Sequence, residues 1–174
     1  NQIQQSDWYG ISKIHAEARH RASSNLPIVD IRIFNYFSHT QDMNAAYFIT
    51  QVAQAISKKT ILKTSPNQMV RDFLHPLDFS QLALKILQSP ATNCAVDAYS
   101  RAPIDKMTLL EAIQSKFGLQ YQILSNMSHD NVTGIKPLYY SMDRSAARFG
   151  YLPEFTSLEA LESELSLFLK KQGL

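Results

Sequence analysis

Ile28, Val29, Ile31 and Ile33 crowd β-branched side chains into the run Ile28–Phe34, and such a run reads as a strand. A helix leads into it. Ile11, Ile14, Ala18 and Ala22 recur near helical spacing, with Ser6 or Asp7 as candidate caps, and Pro27 disfavours helix in the residue before it. A helix feeding a strand rich in β-branched residues is half of a β-α-β unit, the building block of a parallel sheet. The alternation continues downstream. Helices are expected over Asn44–Lys58, Phe79–Gln88 after an Asp78 cap, Thr108–Phe117 with a Thr108/Glu111 capping box, and Leu158–Lys171 with a Thr156/Glu159 box. Strands are expected at Thr60–Thr64, Cys94–Tyr99 and Tyr121–Leu124, and a polar, binding-type loop over 125–136.

The 174 residues suit one domain or a piece of a larger one, and 45% apolar with 18% charged residues is a globular composition. A formal charge of +2, with Lys and Arg scattered, argues against nucleic acid as a partner. No apolar run is long enough to span a membrane, and residues 1–20 lack a signal peptide's order. Cys94 is the only cysteine, which excludes an internal disulfide and a cysteine metal cluster and fits a cytoplasmic protein.

The chemistry centres on Asp7-Trp8-Tyr9-Gly10-Ile11-Ser12-Lys13. Tyr9 and Lys13 lie four residues apart, on one face of a helix. A phenol with a pKa of about 10 is a poor base at neutral pH, and a neighbouring ammonium favours its phenolate. Such a pair can exchange a proton with a substrate hydroxyl or carbonyl, the acid/base half of a hydride transfer. The plain alternative is a surface helix with Tyr9 stacked on the Lys13 stem. Asn35 follows the end of the 28–34 strand, where ligands of open α/β sheets bind; its alternative role is to cap the next turn.

Four segments, in order, resemble the extended short-chain dehydrogenase/reductase family of NAD-dependent epimerase/dehydratases. Tyr9-Gly10-Ile11-Ser12-Lys13 with Glu17 is similar to the family's active-site helix, and Arg32-Ile33-Phe34-Asn35-Tyr36-Phe37 to its R-x-F-N-x-(Y/F) run. Met69-Val70-Arg71-Asp72-Phe73-Leu74-His75-Pro76-Leu77-Asp78 resembles x-x-R-D-F-(I/L)-(Y/H)-V-D-D, with Pro76-Leu77 replacing Val-Asp. Met142–Pro153 resembles the C-terminal D-x-S-K-A-x-x-x-L-G-(W/F/Y)-x-P segment, an architectural piece.

The resemblance implies the C-terminal part of a Rossmann-type parallel sheet plus a small mixed α/β substrate-binding domain. Residues 1–43 would end the NAD(P)-binding domain. Residues 44–174 would be mainly the nucleotide-sugar domain, with the strand and helix near 69–99 as candidates to return to the Rossmann sheet. It also implies a nucleotide-diphosphate sugar as substrate, NAD or NADP as cofactor, and a homodimer through the Tyr9 helix. Tyr9 would accept the hydroxyl proton, while Lys13 would lower its pKa and bond the nicotinamide ribose. The keto-sugar so formed would undergo epimerisation, water loss or reduction. Asn35 and Arg71 would contact the substrate, Arg71 gripping its diphosphate through paired donors. Lys136, in Lys136-Pro137-Leu138-Tyr139, is the candidate for the family's nucleotide-side arginine. Asp72 would orient Arg71 or bridge within the fold; an Arg71–Asp72 ion pair is the structural alternative. His75, a conceivable ligand or base, is expected to pack between elements.

Gly10, Gly118, Gly134, Gly150 and Gly173 are widely spaced, so G-x-G-x-x-G is not among these residues. The chain is therefore expected to be the C-terminal portion of a longer enzyme and inactive alone. The rival readings are a nucleotide-4-keto-sugar reductase of the same family and a non-catalytic NAD-sensing or RNA-binding relative.

Overall fold

The computed structural model describes residue 4 and residues 7–125 and 136–174. The proposed Ser6 cap and the loop at 126–135 lie outside the described residues. In chain order the elements are α1 (Trp8–Ala22), β1 (Val29–Arg32), β2 (Asn35–Tyr36), α2 (Phe48–Ser57), β3 (Ile61–Thr64), β4 (Val70–Arg71) and β5 (Phe73–Leu74). There follow α3 (Pro76–Leu87), β6 (Cys94–Asp97), β7 (Ile104–Asp105), α4 (Lys106–Phe117), β8 (Gln120–Ile123), β9 (Leu138–Tyr139), a 3-10 helix (Ser145–Phe149) and α5 (Ser157–Lys171).

The fold is the expected α/β mixture of parallel strand pairs. Strand β1 pairs with β6, β2 with β5 and β3 with β8, all parallel, and β4 lies between antiparallel β7 and parallel β9. Two apolar clusters hold these small sheets. Val52, Leu62, Leu110, Ile113, Leu161 and Leu165 unite α2, β3, α4 and α5. Leu82, Val96, Ala146 and Tyr151 unite α3, β6 and the 3-10 helix, with Val29 and Ile31 of β1 against them. Tyr151 is fully buried; its hydroxyl donates to the Tyr99 carbonyl at 2.6 Å, so the 142–153 segment is architectural as expected.

Several helix starts differ from the sequence reading. Helix α3 begins at Pro76, whose fixed φ suits the first helical position, and His75 is the cap: its Nδ1 accepts from the Leu77 amide at 3.1 Å. Asp78 instead ties down the loop before α5, accepting from the Glu154 and Phe155 amides at 2.8 and 3.2 Å. Asp105, not Thr108, caps α4, accepting from the Met107 and Thr108 amides at 3.0 Å, while the Thr108 hydroxyl bonds back to it. Helix α2 begins at Phe48, after a turn closed by Thr50 on the Tyr47 amide at 3.2 Å. Asp7 precedes α1 without a side-chain cap; its carboxylate takes the Gln4 amide at 2.9 Å. The Thr156/Glu159 box and the Gly118 stop, at φ 69°, are as read.

Helix α1 contributes no buried residue, and Ile14 is 72% exposed. Polar ties hold it to the sheet. Glu17 pairs with Arg32 at 2.5 Å, Arg21 with Asp30 at 2.9 Å, and the His20 ring bonds Asp30 at 2.8 Å. The Arg32 guanidinium beside Glu17 holds its carboxyl below the usual carboxylate range.

The clusters meet at Asp72, buried between β4 and β5. Its carboxylate accepts from the Ser100 amide at 3.0 Å and the Ser157 hydroxyl at 3.3 Å, and the Ser157 oxygen accepts from the Phe73 amide at 2.9 Å. Asp72→Ala strands these donors in a dry setting. We expect it to lower unfolding free energy by about 3 kcal/mol in urea titration; a loss under about 0.5 kcal/mol would refute the role.

Candidate functional site

The sequence-predicted residues fall into two groups. On α1, the Lys13 amine lies 5.5 Å from the Tyr9 ring centroid, the contact that i, i+4 spacing permits. Tyr9 is 69% exposed, and among the described residues neither its hydroxyl nor the Lys13 amine has a hydrogen-bond partner. Both functional groups are free to meet a ligand.

The second group is assembled by strand register. Strands β4 and β9 pair so that Arg71 lies beside Tyr139, and β2 and β5 pair so that Asn35 lies beside Phe73. Arg71 and Lys136 both approach the Tyr139 ring, at 5.9 and 4.6 Å from its centroid. The Asn35 amide reaches the Asp72 and Tyr139 carbonyls at 3.4 and 3.5 Å. Thus Asn35, Arg71 and Lys136, distant in sequence, converge on one aromatic residue. The opening reading missed Tyr139; Phe34 meets the same ring edge-on at 5.2 Å.

Arg71 is half-buried, and burial pushes its pKa down from the ordinary guanidinium value, which still leaves it a cation at neutral pH. One of its nitrogens donates to the Val70 carbonyl at 2.8 Å. Among the described residues it has no ion pair. The Arg71–Asp72 pair is not formed, because Asp72 is committed to the core. A cavity beside Arg71 takes in Lys136, Thr64 and Lys106, and among the described residues its lining carries three cations and no carboxylate. Tyr9 and Lys13 make no described contact with this cluster.

The profile of the NAD dependent epimerase/dehydratase family matches residues 1–100. The chain belongs to this family. No curated protein sequence matches it. Among solved structures, the chain is similar to UDP-glucose 4-epimerase from Thermotoga maritima with UDP-glucose, at TM-score 0.80 and 14% identity, over 95% of this chain and 54% of that one. It is similar to UDP-glucuronic acid 4-epimerase from Bacillus cereus in complex with UDP-glucuronic acid and NAD, at TM-score 0.75 and 15% identity, over 92% and 51%. It also resembles dTDP-glucose 4,6-dehydratase from Bacillus anthracis in complex with NAD, at TM-score 0.74 and 16% identity, over 92% and 50%. The chain spans about half the length of these structures. Among the described residues, no helix is long and apolar enough to cross a membrane, and no cluster of His, Cys, Asp or Glu could hold a metal.

His75 packs between elements, as expected, and belongs to neither group. It stacks on Phe155 at 3.8 Å between centroids. Because Nδ1 accepts from Leu77, the proton of the neutral ring sits on Nε2, which faces Ser163 at 3.4 Å and Glu164 at 3.6 Å. Burial lowers its pKa, outweighing the opposite pull of Glu164, Asp78 and Glu154. The unfolded chain therefore binds the proton first as pH falls below about 6.5, and stability present above that pH is lost. Unfolding free energy from urea titration is expected to drop between pH 7 and 5.5, with a slope of up to about 1.4 kcal/mol per pH unit. His75→Asn, which keeps an acceptor for Leu77, should flatten that slope; an unchanged slope would assign it to other groups.

Proposed function

We propose that this chain carries the sugar-nucleotide half of an NAD(P)-dependent nucleotide-sugar epimerase/dehydratase that works by hydride transfer. One observation carries the reading: Arg71 and Lys136 converge on Tyr139, beside Asn35, at a cavity whose lining, among the described residues, holds three cations and no carboxylate. A dianionic diphosphate is the ligand such a site favours. Arg71 presents planar paired donors to it, Lys136 adds a mobile charge at the rim, and Asn35 offers an amide to the sugar side.

The exposed Tyr9–Lys13 pair fits the reacting end of a nicotinamide nucleotide, since both side chains have unused hydrogen-bonding capacity. NAD or NADP, when bound, supplies the hydride acceptor for a sugar carbon. Tyr9 takes the hydroxyl proton of that carbon, and the Lys13 charge favours the phenolate that does so. Lys13 also donates to the ribose. In this reading residues 1–43 close the cofactor domain, the β1–β6 pair belongs to its sheet, and most of 44–174 holds the substrate. The exposed Trp8, Ile11 and Ile14 on α1 support a homodimer through that helix. The single cysteine supports a cytoplasmic setting.

Calorimetric titration with UDP-, CDP-, dTDP- and GDP-hexoses tests the site. One nucleotide class should bind saturably, and Arg71→Ala should weaken it by about 10- to 100-fold, the worth of a charge-assisted hydrogen bond. A folded chain that binds none of them, or an Arg71→Ala variant that binds as tightly, overturns the proposal.

A further inference from the structure

Lys106 is an anomalous residue for its place. It opens α4, where the helix dipole disfavours a cation, and it is only 5% exposed. Its backbone is pinned beside β4, with its amide donating to the Met69 carbonyl at 2.8 Å and Ile104 paired with Arg71. Its amine donates to the carbonyls of Ser65, at 2.6 Å, and Asn67. An ammonium has three N–H donors, and no third acceptor and no carboxylate partner is present among the described residues. Burial alone lowers its pKa, with no opposing charge to restore it. A buried charge satisfied only by two carbonyl dipoles is costly and calls for an anion.

A second, independent anomaly lines the same cavity. Thr64, at the end of β3, is 1% exposed, and its hydroxyl has no hydrogen-bond partner among the described residues. Buried hydroxyls are nearly always paired. An unpaired donor and an uncompensated ammonium in one cavity, beside Arg71 and Lys136, are two departures from good packing that a single anionic ligand would resolve.

We propose that Lys106 and Thr64 form a second anion-holding point of this cavity, which takes a phosphoryl oxygen of a nucleoside diphosphate and so shares the diphosphate with Arg71. The inference rests on reading the cavity as the seat of the nucleotide. Lys106 contributes charge and its free N–H, and Thr64 contributes its hydroxyl. The Ser65–Asn67 turn is the frame that holds the amine in place.

The test uses the whole chain with UDP, CDP, dTDP, GDP, their nucleosides and inorganic pyrophosphate as probes. Lys106→Met should weaken the bound nucleoside diphosphate and pyrophosphate by about tenfold or more, and flatten the salt dependence of binding, while leaving nucleoside affinity unchanged. Thr64→Val should weaken the diphosphate several-fold and raise the melting temperature of the free protein, since it removes an unpaired buried hydroxyl. If Lys106→Met weakens nucleoside and diphosphate equally, Lys106 merely braces the turn and the inference fails. If Arg71→Ala weakens the diphosphate but Lys106→Met and Thr64→Val do not, the inference fails and the nucleotide site stands. Weakening by Lys106→Met and Thr64→Val with Arg71→Ala unchanged overturns the shared grip on the diphosphate, and with it both the inference and the proposed role of Arg71. Absence of binding by every probe overturns both.

Discussion

A buried carboxylate that pairs with no cation among the described residues organises this fold. Asp72 sits where β4 passes into β5, and its acceptors are filled by Ser100, just after β6, and Ser157, the first residue of α5. Ser157 and Ser100 are themselves 3.1 Å apart, and Ser100 reaches on to the Ala102 carbonyl at 2.9 Å. The positive end of the α5 dipole lies against the carboxylate and supplies charge compensation where no Lys or Arg does among the described residues. Every donor in this network comes from a different stretch of chain, so it forms only when β4, β5, the post-β6 turn and α5 are all in place. It also sets the outward direction of the site: with Asp72 drawn into the core, its neighbour Arg71 is left to face the cavity.

The cavity follows from strand register, not from any local motif. Arg71 meets Tyr139 because β4 and β9 pair in parallel, and Lys106 stands beside them because β7 pairs antiparallel on the other side of β4. Two-residue strands carry this geometry, and such short pairings are weak on their own. The neighbouring apolar cluster stabilises them, with Leu109, Leu110 and Ile113 of α4 fully buried a turn or two beyond Lys106. The cationic side chains of the cavity thus ride on elements anchored by a packed core.

What could be read in the sequence follows the range of the interaction. Helix α5, with its capping box and its inward Leu161, Leu165 and Phe168, was legible because capping and 3.6-residue spacing are local. The β1 strand was legible from its β-branched run; motif resemblance singled out Asn35, Arg71 and Lys136 as candidates, but not their convergence on Tyr139. Helix starts were less so: Asp78 and Thr108 are both good caps by type, yet Pro76 and Asp105 begin their helices earlier. Tyr139 and Thr64 carry no local mark, because their roles come from partners far along the chain. Lys106 did carry a signal, a cation at the first position of a helix, where the dipole opposes it.

The two candidate groups are held by different physics. The Arg71 cavity is fixed by strand pairing and a packed core. Helix α1, which carries Tyr9 and Lys13, buries nothing and is tied by Glu17–Arg32, Arg21–Asp30 and the three Asn93 bonds to the carbonyls of His20, Ser23 and Leu26. Exposed ion pairs contribute about 0–1 kcal/mol each. Arg32 is the exception, since it also reaches Asp97 at 3.0 Å, and that carboxylate is buried and receives the Ser141 hydroxyl. Arg32 therefore links α1 to the carboxyl end of β6, beside the ties made by Arg21, His20 and Asn93.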